Sequence, residues 1–289
     1  MTGPQAALLA DRRRLHLNHG PIDLILEAFG SSAEVGAAYA QATRRFRTVL
    51  EELVAELAEL RRPAGPVPRN FRGPTARRME AAVSPLSQGF ITPMAAVAGS
   101  VADEVLAAMV AGRNLDRAYV NNGGDSALFL APGNSMTLAV AGTGSGLADR
   151  IVIKASDSVR GVATSGWRGR SFSLGIADAA TVLASSGAAA DAAATVVANA
   201  IDLPGHPGIT RQMACELAPD SDLGKRLVTT GVGRLAASEA VAALERGWRA
   251  AERLRRTGRI EAAALFLAGE ARFSGVNGNA LSSKEPVHA

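Results

Sequence analysis

The chain has 289 residues and a formal net charge of +4; 47% of its residues are hydrophobic but only 4% are aromatic. This composition supports a globular core and argues against disorder over the whole length. The basic residues are dispersed and have no interleaved aromatic residues, which argues against a nucleic-acid partner. The single cysteine, Cys215, excludes an intramolecular disulfide and a cysteine-based zinc site.

The N-terminus has no long apolar stretch before Arg12, and no run approaches the ~20 apolar residues of a membrane span. We therefore expect a cytoplasmic protein with no membrane partner. No repeat of fixed period and no clear linker is visible in the sequence. A single domain over residues 1–275 is predicted, followed by a flexible tail over 276–289.

The first half of the chain is predicted to form a strand hairpin followed by helices. Leu15 and Leu17 alternate with polar residues, and an Asn-His-Gly-Pro turn separates them from a second apolar run. Apolar residues then recur at helical spacing on both sides of a Pro/Gly-rich connector. The predicted elements are two strands within 12–29, a helix over 31–62, a connector over 63–74, a short helix near 77–83 and a helix over 92–111.

The second half is predicted to contain a run of strands and then more helices. Helices, antiparallel strands and further helices in this order indicate an α+β fold, with helices packed on an antiparallel sheet. The predicted strands are 115–122, 127–130, 136–141, 150–154 and 161–165; the predicted helices are 177–185, extended or repeated by 188–200, and 234–256, with a mixed segment over 202–232.

The first candidate site is the segment that closes the strand over 115–122. It consists of Asn121, Asn122, Gly123, Gly124 and Asp125. These residue types tolerate positive φ and are typical of a hairpin turn. They also suit a ligand site, because two glycines let a ligand approach the backbone while the amide and carboxyl groups supply directional hydrogen bonds.

The second candidate site is a loop in which small hydroxyl residues, glycines and paired arginines crowd together. Backbone amides freed by glycine, beside two guanidinium groups, suit a phosphate or carboxylate, and the indole can stack on a flat ring. The same residues are compatible with a solvated arginine loop anchored by a half-buried tryptophan. The candidate residues are Thr164, Ser165, Gly166, Trp167, Arg168, Arg170 and Ser171.

Asp178 and Thr181 follow this loop, near the start of the helix predicted over 177–185. A spacing of three places both side chains on one helical face, where they can hold Mg²⁺ partly through water. The alternative is that Asp178 caps the helix.

Two further patterns are weaker. His16 and His19 lie three apart in a predicted strand and point to opposite faces, so they are not expected to share a metal ion. The glycine-rich segment 142–146 has no lysine of a P-loop and is predicted to be a flexible loop.

Four segments carry a family resemblance that covers most of the chain. The chain resembles the UPF0280 family of uncharacterised proteins, and more distantly the ApbE-like flavin transferases. The segments are RLHLNHGPIDLIL, ITPMAAVAGSVADEVL, YVNNGGDSALFL and GVATSGWRGRSFSLGIADAATVLA.

The resemblance implies an ApbE-like, T-fold-like architecture, a scaffold that pterin-binding enzymes also resemble. The transferases bind FAD, use Mg²⁺ and attach FMN to a threonine of a partner protein. They resemble this chain at 122–125 and at 163–166. Their metal-binding Asp and Thr, on the helix after the second of these segments, would fall near Asp178 and Thr181.

The chain departs from the transferase pattern in three places. The spacing from Asp178 to Thr181 is three rather than four, a His-x-x-Asp-Pro segment is missing, and the helix over 92–111 has no lysine. From the two candidate segments and the family resemblance, we expect a cytoplasmic protein that binds a flavin- or pterin-like anionic molecule. We expect it to be an enzyme of cofactor metabolism, with Asp125 and Asp178 as candidate catalytic groups. The alternatives are a non-catalytic carrier and, second, FMN transfer to a protein threonine. A homodimer is the general expectation.

Overall fold

Thirteen β-strands occur in the parts of the chain that the computed structural model describes, residues 3–139 and 150–275. They are β1 (Gln5–Leu8), β2 (Leu15–His19), β3 (Ile22–Gly30), β4 (Leu115–Asn122), β5 (Asp125–Leu130), β6 (Ser135–Ala139), β7 (Arg150–Lys154), β8 (Gly161–Ser165), β9 (Ala179–Ala184), β10 (Ile209–Met213), β11 (Leu227–Val232), β12 (Ala262–Leu267) and β13 (Glu270–Ser274).

Seven α-helices accompany the strands in these residues. They are α1 (Ser32–Ala55), α2 (Leu57–Leu60), α3 (Pro74–Val83), α4 (Val97–Val110), α5 (Gly187–Ala200), α6 (Ala214–Leu217) and α7 (Ala237–Arg256). Ser31 begins α1, since its hydroxyl accepts from the backbone N–H of Glu34.

Nine strands form one sheet in the order β1-β2-β3-β4-β5-β8-β9-β12-β13, with every neighbouring pair antiparallel. After β1, the sheet consists of two halves with the same order of elements. Hairpin β2–β3, the helices α1 to α4 and hairpin β4–β5 form the first half. Hairpin β8–β9, the segment from α5 to α7 and hairpin β12–β13 form the second.

The two halves meet at a short seam between β5 and β8. Its registered pairs are Ser126 with Val162 and Ala127 with Gly161. Helices cover one face of the sheet on both sides of this seam, and the hairpin β6–β7 packs on the other face. Fully buried side chains of the helix-covered face include Leu17, Leu24, Phe46, Val105, Val182, Val197, Leu244 and Leu265.

The start of α4 crosses the start of α5 in direct backbone contact above the seam. A Cβ on Gly99 would overlap the carbonyl group of Gly187, so both helices need glycine at the crossing. Asp103 of α4 accepts the N–H groups of Gly187 and Ala188, each at 2.8 Å. In return, Asp191 of α5 accepts the N–H of Gly99 at 3.0 Å. Each helix therefore supplies a carboxylate for the unpaired donors at the start of the other.

Most of the elements predicted from the sequence are confirmed. The α+β class, the N-terminal hairpin, the helices α1, α4, α5 and α7, and the strands β4, β5, β7 and β8 lie where their patterns place them. The helix predicted over 31–62 is interrupted at Glu56, and the first turn of the helix predicted over 92–111 is a 3-10 turn. The predicted loop over 142–146 and the predicted tail over 276–289 lie outside the described residues.

The helix predicted over 177–185 is wrong, because this segment is strand β9. All six residues of β9 are buried, and the strand lies between β8 and β12 in the middle of the second half. A strand buried on both faces lacks the alternation of apolar and polar residues, so its alanine-rich run resembles a buried helix. The same cause hides β12, whose residues are also all buried.

The stretch Pro93–Val110 corrects the expectation about long apolar runs. It is long and apolar enough to cross a membrane by length and composition, and 56% of it is buried within the protein. Its α-helical part, α4, packs against α1, α5 and the sheet. We therefore interpret it as a core helix of the α+β fold.

The helix crossing gives a direct test of this packing. Substitution Gly99→Ala should lower the free energy of unfolding by at least about 2 kcal/mol, because backbone must move to admit the methyl group. Gly36→Ala is the matched control, since Gly36 lies in α1 with nothing within 4 Å of the added Cβ. It should raise stability by up to about 1 kcal/mol. Chemical denaturation of both variants measures the contrast; equal stabilities would contradict the crossing.

Candidate functional site

The predicted turn at 121–125 is a tight hairpin between β4 and β5. Gly123 and Gly124 adopt φ values of 64° and 120°, which only glycine adopts readily. Asn121 serves the turn itself: its carbonyl oxygen accepts from Gly124 N–H at 3.3 Å and its amide donates to Ser126 Oγ at 2.8 Å. Asn122 instead reaches the helix layer, where its amide donates to the carbonyl of Ala98 at 3.1 Å.

Asp125 joins the two candidate segments. Its Oδ1 accepts the backbone N–H of Thr164 at 3.1 Å, so the turn and the loop predicted as separate sites meet across the seam. Asp125 lies two residues before Ala127 on β5, so the two side chains share the face of the sheet that the helices cover. Removal from water raises the pKa of Asp125 to about 7, although the N–H of Thr164 favours the ionised form.

Asp191 is the residue that the sequence analysis missed. It lies in the first half of α5, and burial raises the pKa of its carboxyl group well above the ordinary value. The nearby charge of Asp125 raises it further, while the N–H groups of Gly99 and Ala98 oppose the shift. Its signal in the sequence is a lone carboxylate within GAAADAAAT, a segment of otherwise small residues.

The polar side chains of β8, of β9 and of the loop that joins them do not all lie on one face of the sheet. The hydroxyl groups of Thr164 and Thr181 lie 2.8 Å apart on the face opposite the helices. A Cβ on Gly166 would lie 2.5 Å from the carbonyl oxygen of Asp178, which keeps the loop close to the start of β9. Ser165 is half-buried at the end of β8, and Ser171 is exposed.

Asp178 fixes the shape of this loop. Its carboxylate accepts from Trp167 Nε1 at 3.3 Å, from Arg168 Nε at 2.9 Å and from the backbone N–H of Ala268 at 2.7 Å. The Arg168 guanidinium also lies over the Trp167 ring, 4.7 Å from its centroid. The loop is therefore an ordered arginine–tryptophan–aspartate cluster.

The prediction that Asp178 and Thr181 share one face of a helix is wrong. Asp178 directly precedes β9 and Thr181 lies within it, so a spacing of three directs the side chains to opposite faces. Thr181 is 2% exposed and already bonded to Thr164. Within residues 3–139 and 150–275, no group of three or more His, Cys, Asp or Glu residues is close enough to hold a metal ion.

Arg170 is the arginine of the loop that reaches towards the turn. Its Nη2 approaches the carbonyl oxygen of Pro21 at 3.5 Å, and its Nη1 lies 3.6 Å from the position of a Cβ on Gly123. The exposed guanidinium thus lies beside the hairpins β2–β3 and β4–β5. We call the group of Asn122, Asp125, Thr164, Arg170 and Asp191 the seam site.

The two histidines of β2 point to opposite faces, as the strand pattern predicts. His16 is partly exposed and bonds to Asp23 at 3.0 Å. His19 is buried with its ring 6.4 Å from that of Phe46, in an edge-to-face arrangement. Two clefts, of about 650 and 760 Å³, lie away from the seam site; α1 contributes to both.

Comparison with known proteins assigns a family. A family model described as "AbpE bacteria" matches residues 6–273. A UPF0280 protein of Methanopyrus kandleri is 33% identical over 192 residues, which are 65% of this chain and 75% of that protein. The chain belongs to the AbpE bacteria family and to the UPF0280 proteins.

Other relatives match over shorter segments. A UPF0280 protein of Methanothrix thermoacetophila is 36% identical over 159 residues, 54% of this chain and 65% of that protein. One of Methanococcoides burtonii is 39% identical over 120 residues, 41% of this chain and 49% of that protein. The matched segments thus span less than two-thirds of the length of these two relatives, and their shared name states no activity.

The raised pKa of Asp125 predicts a pH-dependent stability. The native state binds a proton at Asp125 more tightly than the unfolded chain does, so the contribution of Asp125 to stability should fall as pH rises from 3.8 to about 7. Asp125→Asn keeps an acceptor for Thr164 but has no charge to bury. It should therefore exceed the wild type by about 1–3 kcal/mol at pH 8, with the difference vanishing near pH 4. Urea unfolding across this pH range measures the difference; a constant difference would contradict a half-buried Asp125 that binds a proton in the native state.

Proposed function

We propose that the protein binds a flavin- or pterin-like anionic small molecule at the seam site and is a cytoplasmic enzyme of cofactor metabolism. The bond between Thr164 N–H and Asp125 carries the proposal, because it brings the two predicted ligand segments into one site. The site combines hydrogen-bonding groups with an exposed guanidinium, as recognition of a flat, anionic heterocycle requires.

The fold supports an ApbE-like, T-fold-like architecture for this scaffold. Each half of the sheet is built from a hairpin, helices and a second hairpin, and the seam site lies where the halves meet. Ligand sites occur preferentially at such junctions, because two independent structural units supply opposing walls. The two signature segments lie on opposite sides of the seam.

The side chains of the site divide the recognition between them. Arg170 is exposed beside two hairpins and can pair with a phosphate or carboxylate. The amide nitrogen of Asn122 is bonded to Ala98, so in our proposal the side-chain oxygen of Asn122 and the carboxyl group of Asp125 meet the edge of a heterocyclic ring. Arg168 and Trp167 are already joined to Asp178, so in our proposal they form the outer wall, where the indole can stack on the ligand.

Mg²⁺ is implied by the resemblance to the flavin transferases, and the residues that fit it differ from those predicted. Asp178 accepts three hydrogen bonds and does not share a face with Thr181. The helix that follows the loop is α5, where Asp191 and Thr195 have the spacing of four found in the transferases. Asp191, facing the charge of Asp125, fits a divalent cation. Such a cation would neutralise ligand phosphate.

An enzyme, a carrier and an FMN transferase would differ in what happens to the bound ligand. Asp125 is our candidate catalytic group for an enzyme, since its carboxyl group lies inside the site. A non-catalytic carrier would use the same contacts without turnover. FMN transfer to a protein threonine is the least favoured, because the chain has no His-x-x-Asp-Pro segment after residue 166.

The first test is a native mass spectrum and an absorbance spectrum of freshly purified protein. We expect a bound mass with flavin or pterin absorbance, at one ligand per chain. If the protein is empty, titration with FMN, FAD and neopterin monophosphate, followed by intrinsic fluorescence, provides the second measurement. Absence of both a bound ligand and saturable binding would reject the proposal.

The position of the ligand is tested by removing Arg170, the cationic side chain proposed to pair with its anionic group. Arg170→Ala should weaken binding of the same probe at least tenfold, the loss of about one charge-assisted hydrogen-bond pair. The matched control is Arg246→Ala, an exposed arginine on α7 of the second half. Equal affinities in the two variants would place the ligand elsewhere.

Catalysis is tested with the probe that binds. After long incubation with Mg²⁺, the wild type should convert the ligand to a product of different mass, and Asp125→Asn should bind it but lose at least about 100-fold in rate. Recovery of unchanged ligand would support the carrier. An FMN-sized mass increase on an added flavin-acceptor protein, with FAD as substrate, would instead establish transfer.

A further inference from the structure

We propose that a second site, at the opposite end of the sheet, binds a phosphate-bearing small molecule. It is a cleft of about 650 Å³, a volume typical of small-molecule sites. The turn before β2, the end of β3, the start of β4 and the first turns of α1 line it. We call it the distal cleft. Arg117 in the cleft and Asn122 in the seam site lie at opposite ends of β4, about 17 Å apart at 3.3 Å per residue.

Two guanidinium groups of the distal cleft are held in place on one aromatic ring. The Arg117 guanidinium lies 4.2 Å from the centroid of Phe29, and that of Arg13 lies 5.9 Å from it. Arg13 is further fixed by an ion pair with Glu27 at 2.8 Å, and Arg117 by donation to the carbonyl of Ser135 at 3.2 Å. Guanidinium groups that are already ordered lose little freedom when they bind an anion.

A third arginine is held in a strained backbone conformation at the same place. Arg12 has a φ of +55°, in the left-handed region that side chains other than those of Gly, Asn and Asp rarely occupy. The turn is fixed on both sides: Arg12 N–H donates to the carbonyl of Leu9 at 2.9 Å, and the Tyr39 hydroxyl donates to the carbonyl of Arg13. Backbone strain maintained by the surrounding structure is a feature of ligand sites.

The charge of the lining identifies the ligand class. Arg12, Arg13 and Arg117 line the cleft together with Glu27 and Asp116, and Glu27 is paired with Arg13. The net charge of these lining residues is positive, and the first turn of α1 adds the positive end of a helix dipole. Arginine forks approaching from several sides match a group with several anionic oxygens, which a phosphate or pyrophosphate provides.

The test uses inorganic pyrophosphate as the probe, in isothermal titration calorimetry with the full chain. We expect saturable binding at one molecule per cleft, with a Kd below about 1 mM, that weakens as salt is added. Arg12→Ala and Arg117→Gln should each weaken it at least tenfold. Arg12 is exposed in the turn, so its variant keeps the fold even if Arg117→Gln is destabilised; thermal melts of both variants check this.

Two control variants separate the distal cleft from the seam site. Arg170→Ala removes the guanidinium group that we propose binds an anion in the seam site. Arg246→Ala removes an exposed arginine outside both sites. Arg246→Ala should bind pyrophosphate as the wild type does. Arg170→Ala should keep the binding event that Arg12→Ala and Arg117→Gln weaken, and should lose only a separate binding event at the seam site. Binding lost only in Arg170→Ala would assign the anion to the seam site and overturn the proposal. Absence of saturable binding, or wild-type affinity in Arg12→Ala, would overturn it as well.

Discussion

The arrangement of the whole molecule depends on the crossing of α4 and α5. Their backbones touch at Gly99 and Gly187, where any larger residue would hold the helices apart. The first backbone N–H groups of each helix are unpaired in such a contact unless another group accepts them. Asp103 of α4 accepts at the start of α5, and Asp191 of α5 accepts at the start of α4. Each carboxyl group therefore fixes the position of the facing helix.

This crossing also places the chemistry of the seam site. Asp191 accepts from Gly99 and therefore lies above the seam, where the charge of Asp125 raises its pKa. Asn122 bonds to Ala98 at the start of α4, which ties the hairpin of the first half to the same point. Two carboxylates with raised pKa values thus lie near each other at a junction of secondary structure, a combination more common in functional sites than in packing cores.

The sequence is informative where structure is local and uninformative where it is not. The turn at Gly123 and Gly124 was predictable, because positive φ requires particular residues and their order is visible in the chain. The fold class followed from the order of the elements. For Asp178, by contrast, the local spacing and the family resemblance predict a metal site. Its hydrogen-bond partner Ala268 lies 90 residues further along the chain, where no local pattern can show it. The helix expected around it failed because a strand buried on both faces has no periodic signal.

The duplicated order of elements has a consequence for how the protein folds. The two helix-covered faces have separate apolar clusters, and two of the three strand pairs in each half lie within a hairpin. Asp125 and Thr164, which meet across the seam, are 39 residues apart in the chain. The pairings of β3 with β4 and of β9 with β12, which close the two halves, join residues that are much farther apart. Because closing a shorter loop costs less chain entropy, we expect the hairpins β4–β5 and β8–β9 to associate before either half is closed. The seam site then forms early in folding, and the outer strands complete the sheet around it.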